Sequence, residues 1–229
     1  MRTINTPVIT VDGPSGSGKG TVCQKLAESL GFHLLDSGAL YRLTALAASE
    51  KAVELSNAQA VADIARHLNV SFQSNPKGVL AFLGSRNVSR DIRMEAVGMG
   101  ASTVAAHPLV REALLARQRA FQVSPGLIAD GRDMGTTVFP DAEIKIYLTA
   151  SAEERADRRY KQLIGRGESA NLRALLEDIQ SRDARDMQRS ASPLQPAKGA
   201  IEIDSTSMPI QEVLDSIFKV VHERLQLTV

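Results

Sequence analysis

Short apolar runs alternate along this chain with longer segments in which apolar residues recur at helical spacing. Runs of this length are typical of buried strands, and the amphipathic segments between them are typical of helices. The predicted strands span residues 8–11, 32–35, 126–130, 143–148 and 200–204. Strands that alternate with helices form parallel sheets, because each helix returns the chain to the same edge. The pattern therefore predicts an α/β fold with a five-stranded parallel sheet covered by helices.

The predicted helices fill the segments between these strands. They span residues 40–48, 58–68, 94–121, 152–164, 172–188 and 209–227, and a further helix follows residue 18 and ends near Leu30. The segment 94–121 contains His107-Pro108, and proline disfavours helix at the residue that precedes it. One or two helices are therefore expected there.

A different pattern interrupts the alternation of strands and helices between residues 70 and 90. Residues 70–73 and 79–83 have strand character, and the turn residues Ser74-Asn75-Pro76-Lys77-Gly78 separate them. Residues 87–89 are predicted to add a third short strand. This segment therefore indicates a small inserted β subdomain.

A glycine-rich loop follows the first predicted strand. It reads Gly13-Pro14-Ser15-Gly16-Ser17-Gly18-Lys19-Gly20-Thr21 and leads into a helix. Strand, glycine loop and helix together are typical of a phosphate-binding loop, whose N–H groups and lysine hold a polyphosphate. The residue after Lys19 is Gly20, where a hydroxyl usually meets Mg²⁺. Thr21 or Ser17 is left to supply that oxygen, and the sequence does not decide between them.

The composition excludes several classes of function. Lys and Arg number 27 against 26 Asp and Glu, so no overall field attracts nucleic acid or a membrane surface. Aromatic residues are 4% of the chain with no Trp, which argues against base-stacking platforms. The single cysteine, Cys23, is expected to be a buried helix residue, and the histidines lack metal-ligand spacing. With no apolar run of membrane-spanning length and no signal peptide, we expect a cytoplasmic monomer.

Polar residues follow several of the predicted strands. They are Asp36, Ser37, Asp130, Arg132, Asp133 and Asp204. In open α/β sheets ligands bind outside the carboxyl ends of the strands, so these side chains are candidates for a site. Asp130 ends an apolar strand, where P-loop enzymes keep a carboxylate near Mg²⁺. A capping or turn role is the alternative for Asp130 and Asp204.

Arginines share one face on each of two predicted helices. On the first helix the positions i, i+3 and i+4 are Arg155, Arg158 and Arg159, and on the second the positions i, i+3 and i+7 are Arg182, Arg185 and Arg189. A solvated, salt-bridged surface is the plain alternative. Beside a phosphate loop, however, guanidinium groups can stabilise the charge of a transferred phosphoryl group. We therefore favour a helical lid over residues 152–190.

Four segments together resemble bacterial cytidylate kinases, the (d)CMP kinase branch of the nucleoside monophosphate (NMP) kinases. They are Gly13 to Thr21, Leu34 to Arg42, Leu127 to Thr136, and Ser181 to Asp186. The resemblance implies a single P-loop kinase domain. Its core would be residues 1–40, 91–150 and 195–229, its NMP-binding insertion 41–90 and its lid 152–190.

The resemblance also implies roles for individual residues. Arg42, Arg132 and Arg189 would hold the acceptor phosphate, Arg182 and Asp186 would contact the ribose, and Ser37 would lie beside the nucleotide. Ser102, Arg111 and Asp133 would read the cytosine. Cytosine offers an N4 amino donor, which a carboxylate accepts, whereas uracil presents a carbonyl there. Ordinary helix positions are the alternative for Ser102 and Arg111.

The sequence and the resemblance together predict an enzyme of pyrimidine nucleotide metabolism. It would use ATP and Mg²⁺ to phosphorylate CMP and dCMP, with Lys19, Asp130, Arg132, Arg155 and Arg159 as catalytic residues and Thr21 at the metal. One rival is another small-molecule kinase of this fold, such as a shikimate kinase. The other is a nucleotide-binding switch, but the guanine-reading Asn-Lys-x-Asp motif of a GTPase is absent from the sequence.

Overall fold

A computed structural model of the chain describes residues 6–75 and 78–225. The chain divides into two compact units. Unit 1 comprises Met1–Asp36 and Arg119–Val229, and unit 2 comprises Ser37–Gln118.

The described residues form eight strands and eight α-helices. The strands are β1 (Val8–Asp12), β2 (His33–Asp36), β3 (Val70–Asn75), β4 (Gly78–Leu83), β5 (Arg86–Asn87), β6 (Leu127–Gly131), β7 (Ile144–Thr149) and β8 (Ile201–Asp204). The helices are α1 (Lys19–Leu30), α2 (Ser37–Glu50), α3 (Ala58–Arg66), α4 (Glu95–Ala105), α5 (Pro108–Arg119), α6 (Ala152–Ile164), α7 (Leu172–Gln188) and α8 (Ile210–Leu225). A short 3₁₀ helix spans Asp91–Arg93, and a π-helical turn spans Met134–Val138.

The sheet of unit 1 has five parallel strands in the order β2-β6-β1-β7-β8. β1 is central and pairs Val8 with Leu127 on one side and Ile9 with Ile144 on the other. This confirms the predicted five-stranded parallel α/β fold. The carboxyl end of β1 leads into Gly13, so the glycine loop lies at the edge where ligands bind in such sheets.

The core of unit 1 joins the sheet to α1 and α8. Its buried members include Ile9, Val11, Val22, Cys23, Leu26, Ile146, Val213 and Ile217. The thiol of Cys23 is enclosed there, and burial raises its pKa well above the ordinary value. Cys23 is therefore a buried packing residue, as the sequence predicted.

Unit 2 contains α2, α3, α4, nearly all of α5 and a three-stranded antiparallel sheet. The sheet order is β3-β4-β5, with Val70 paired to Leu83, which confirms the predicted hairpin. Residues 76 and 77 of the predicted turn lie outside the described residues. The third strand is Arg86–Asn87, slightly earlier than the predicted 87–89.

Several element boundaries differ from the sequence prediction by a few residues. The segment 94–121 forms two helices that end and begin around His107, as its proline indicated. α8 is described to Leu225, so the predicted residues 226 and 227 lie outside the described part. The π-helical turn was not predicted. Within the described ranges, the structure has no helix that is both long and apolar enough to span a bilayer.

Candidate active site

The glycine loop uses backbone conformations that favour glycine. Gly13, Gly16 and Gly18 have φ angles of +149°, +79° and +95°. Gly13 is also packed tightly, since a Cβ atom there would lie 2.0 Å from the carbonyl oxygen of Leu148. Gly18 precedes the first residue of α1, so the loop ends at a helix N-terminus. Such a terminus carries a partial positive charge that favours anions.

Side chains of unit 1 bind the carbonyl oxygens of the loop. Lys19 Nζ donates to Pro14 O at 2.7 Å, and Arg155 Nη1 donates to Ser15 O at 3.0 Å. The carbonyl oxygen of Ser17 accepts from Arg158 Nη1 at 3.4 Å and from Ser205 Oγ at 3.3 Å. A trans peptide is planar, so its N–H points away from its carbonyl. Anchoring the carbonyls therefore sets the direction of the N–H groups that follow them.

The buried Lys19 and the half-buried Asp130 interact electrostatically near the start of α1. Burial, reinforced by the positive charge of Arg132, lowers the pKa of Lys19 to about 7, while attraction to Asp130 opposes the shift. Burial raises the pKa of Asp130 to about 6, against the attraction of Lys19. A Cβ atom on Gly20 would lie 3.8 Å from Asp130 Oδ2, so the carboxylate faces the beginning of this helix.

The oxygen ligands available for Mg²⁺ at this position differ in exposure. Ser17 is buried, and its Oγ lies 3.4 Å from Lys19 Nζ, whereas Thr21 is exposed on the first turn of α1. Hydroxyl and carboxylate oxygens are the ligand types that Mg²⁺ prefers, so Thr21 and Asp130 fit the ion. Among the described residues, no group of three or more His, Cys, Asp or Glu side chains could hold a metal by itself. Mg²⁺ commonly keeps several waters and binds substrate phosphates besides one or two protein ligands.

Asp12 is a site residue that sequence reasoning missed. Its buried carboxylate accepts hydrogen bonds from the N–H groups of Met134 and Gly135, both at 2.8 Å. Burial raises its pKa to about 7, although both backbone hydrogen bonds oppose the shift. Asp12 thus fixes the π-helical turn that directly follows Arg132 and Asp133. An acidic residue at the end of an apolar strand was the available signal.

Arg132, Asp186 and Arg189 are brought together in unit 1. Arg132 Nε donates to Asp186 Oδ2 at 3.1 Å, and Arg189 Nη1 lies 3.8 Å from Asp186 Oδ1. Asp186 is buried on α7, and Arg132 follows β6. Asp133, the next residue, is also buried, with 3% of its surface exposed. The structure therefore gathers two arginines and two aspartates predicted to bind the acceptor.

The two helices of the predicted lid are both capped, and two arginines of α6 differ in burial. Ser151 caps α6 by accepting from the N–H of Glu154, and Asn171 caps α7 by accepting from that of Ala174. Arg159 is partly exposed and donates to Gln162 at 2.7 Å. Arg155, by contrast, is buried and bound to Asp183, a residue that sequence reasoning also missed.

Arg182 lies on α7 in unit 1, and the remaining predicted residues lie in unit 2, where three of them are buried. Ser37, Ser102 and Arg111 have 4%, 7% and 8% of their surface exposed. The guanidinium of Arg111 lies 5.5 Å from the ring centre of Tyr41, a cation–π distance. Ser102 Oγ is buried with no hydrogen-bond partner among the described residues. A buried unpaired hydroxyl is costly, and a hydrogen bond to a bound ligand would remove that cost.

Arg42 is oriented by the backbone of unit 2. Its Nη1 donates to Ile92 O at 2.8 Å. A Cβ atom on Gly98 would lie 3.0 Å from the same nitrogen, so glycine at that position makes room for the guanidinium.

Comparisons with known proteins give a consistent result. A protein-family model described as cytidylate kinase matches residues 9–223. The chain is 57% identical over 219 residues to a cytidylate kinase of Aeromonas salmonicida (strain A449), covering 96% of this chain and 95% of that protein. It is 59% identical over 213 residues to a cytidylate kinase of Pseudomonas entomophila (strain L48), covering 92% and 93%. Among solved structures, a gluconokinase from Sinorhizobium meliloti 1021 aligns over 98% of both chains at 14% identity, and its TM-score of 0.48 supports no conclusion.

Proposed function

The chain belongs to the cytidylate kinase family, and from that premise we propose that it transfers the γ-phosphoryl group of ATP to CMP and dCMP. The products would be ADP and CDP or dCDP. The observation that carries the proposal is the match of the family model to residues 9–223, a range that includes the glycine loop. The proposal also keeps the expectation of a cytoplasmic monomer that binds neither nucleic acid nor a membrane.

The donor end of the reaction is assigned to the glycine loop. Gly13, Pro14, Ser15, Gly16, Ser17, Gly18, Lys19, Gly20 and Thr21 would enclose the phosphates of ATP. Burial lowers the pKa of Lys19 to about 7, so this lysine is only partly protonated at neutral pH. The negative charge of the arriving polyphosphate would stabilise the protonated form, and Lys19 would take up a proton as ATP binds. Thr21 and Asp130 would hold Mg²⁺, which would neutralise the negative charge that develops on the donor phosphates.

The acceptor phosphate and ribose are assigned mainly to arginines. Arg132, Arg189 and Arg42 would hold the phosphate, whose oxygen attacks the γ-phosphorus as the bond to ADP breaks. Phosphoryl transfer depends on positioning and charge stabilisation more than on proton abstraction, so arginines suit this task. Arg182 and Asp186 would contact the ribose, with Ser37 beside the nucleotide. The buried Asp186 supports this because it already fixes the direction of Arg132.

The cytosine base is assigned to Ser102, Arg111 and Asp133. Asp133 would accept from the N4 amino group, and Arg111 would donate to O2 and N3. Uracil would leave the carboxylate facing a carbonyl oxygen. Such a buried mismatch costs about 1–3 kcal/mol, which is enough for tenfold discrimination or more.

Residues 152–190 are assigned to a lid, with Arg155 and Arg159 as its cations. Closure over ATP would exclude water and surround the transferred group with positive charge.

A substrate panel tests the proposed function. In a coupled ADP-release assay we expect CMP and dCMP to react faster than UMP, AMP or GMP. Lys19→Met should lower kcat/KM at least about a hundredfold, because it removes the charge on the donor phosphates. Lys25 is an exposed lysine on the same helix, so Lys25→Met is the matched control, and its kcat/KM should stay within twofold of that of the unchanged protein. A higher rate with UMP or AMP than with CMP would contradict the substrate assignment.

A further inference from the structure

Arg155 connects three separate parts of unit 1 although it is almost completely buried. Only 4% of the residue is exposed. Its Nε donates to Ala150 O at 2.9 Å, where β7 leads into α6, and its Nη1 donates to Ser15 O in the glycine loop at 3.0 Å. Both Nη nitrogens also donate to the carboxylate of Asp183 on α7. A side chain with this many bonds has little freedom to move.

Asp183 is the partner that makes this arrangement possible. Its two oxygens accept from Arg155 Nη1 at 3.1 Å and from Nη2 at 2.5 Å, a forked geometry that fixes the guanidinium plane. The side chains are only 5% and 14% exposed. A buried cation without a counter-charge is strongly disfavoured, so Asp183 keeps Arg155 in this position.

The contact of Arg155 with the glycine loop bears on anion binding through a single peptide group. The carbonyl of Ser15 and the N–H of Gly16 belong to the same planar trans peptide, so they point in opposite directions. Phosphate loops bind their anion through N–H groups. A guanidinium that holds Ser15 O on one side therefore aims the Gly16 N–H to the other side.

The loop backbone at Gly16 is packed closely against the side chain of Arg155. Its φ is +79°, and a Cβ atom there would lie 3.2 Å from Arg155 Cβ. The backbone of the loop thus rests directly on the arginine stem, and a shift of Arg155 would be transmitted to the loop.

We propose that Asp183 is a positioning residue for donor binding, which holds Arg155 on the Ser15 carbonyl and thereby aims the Gly16 N–H at the donor phosphates. The inference rests on the proposed use of ATP. It adds a role for Arg155 that acts through the loop backbone and requires no movement of its side chain. It also makes ATP affinity depend on α7, the helix that carries Asp186.

Asp183→Asn is the main test, because the amide keeps the size of the carboxylate and removes its charge. We expect KM for ATP and the dissociation constant of ATP, measured by titration calorimetry without acceptor, to rise about tenfold. KM for CMP should stay within about twofold. Glu177→Gln is the matched control, since this exposed carboxylate on α7 pairs with Arg173 and should change none of these values.

A purely structural role predicts a different result. If Asp183→Asn lowers the melting temperature but leaves ATP affinity unchanged, the positioning role is refuted. Arg155→Lys decides the matter if Asp183→Asn does not fold. A lysine keeps the charge but cannot hold Ser15 O, Ala150 O and the carboxylate together, so ATP affinity should again fall, and unchanged affinity would overturn the inference. Failure of the unchanged protein to phosphorylate CMP would contradict the proposed function only, because ATP binding is measured separately.

Discussion

Gly13→Ala is expected to damage both stability and ATP use because the structure leaves no room for a methyl group. The added Cβ would lie 2.0 Å from Leu148 O, whereas real Cβ atoms essentially never come closer than 3.0 Å. The loop and β7 must therefore separate by about 1 Å. Overpacking of this kind costs about 1–3 kcal/mol, and the φ of +149° adds about 1–3 kcal/mol for a residue with a side chain.

These contributions give a free-energy loss of about 4 kcal/mol for Gly13→Ala, which corresponds to a fall of about 10 °C in melting temperature for a chain of this size. A shift of about 1 Å in groups that position a substrate can lower the rate about a hundredfold, so kcat/KM for ATP should fall by about that factor.

Gly31→Ala is the matched control for this prediction. Gly31 ends α1 with a φ of +66°, but a Cβ atom there would meet no atom within 4 Å. The free energy of unfolding of Gly31→Ala should therefore fall by only about 1 kcal/mol and its melting temperature by about 2–4 °C, with ATP kinetics unchanged. Differential scanning calorimetry and initial-rate kinetics measure both effects. The reasoning is refuted if the two variants melt together or if Gly13→Ala retains the ATP kinetics of the unchanged protein.

Three further predictions concern the base, the π-helical turn and pH. Asp133→Ala should lower the ratio of kcat/KM for CMP over UMP at least about tenfold while ATP binding is retained; unchanged CMP kinetics would exclude base reading by Asp133. Arg119 donates to the carbonyls of Val138 and Thr137 in the π-helical turn. Arg119→Met should therefore release this end of the turn and raise KM for CMP severalfold. The control Arg117→Met, which leaves these two bonds in place, should not change KM for CMP. Burial raises the pKa of Asp12 from 3.8 to about 7, so the folded state binds more protons than the unfolded state between these values, and the Asp12 contribution to the free energy of unfolding should fall as pH rises from about 4 to about 7. The free energy of unfolding, measured with denaturant at several pH values in this range, should change less with pH in Asp12→Asn than in the unchanged protein. Equal pH dependence in the two proteins would contradict the assignment to Asp12.

The sequence was sufficient for the sheet, the glycine loop and most helices. Strand and helix periods are properties of neighbouring residues, so the pattern located all five parallel strands to within about one residue at every end. The positive φ angles of Gly13, Gly16 and Gly18 are likewise a local demand that only glycine meets without strain. The break at His107 followed from proline sterics.

The π-helical turn and the partners of the buried charges depended on tertiary structure. The turn at Met134–Val138 is held by Asp12, which lies 122 positions away from Met134, and no local pattern encodes that contact. Arg155 and Ser15 are separated by 140 positions. The spacing of Arg155 and Arg159 predicted one shared helix face. In the structure Arg155 is buried and bonded to Asp183, whereas Arg159 is partly exposed.

The sequence by itself thus determined which residues form strands, which loop can bind phosphate and which family the motifs resemble. Only the tertiary structure decided which carboxylate neutralises which guanidinium, and which of them aim the backbone of the loop. The physical reason is that backbone preferences act over a few residues, whereas the energy of a buried charge depends on every element packed around it.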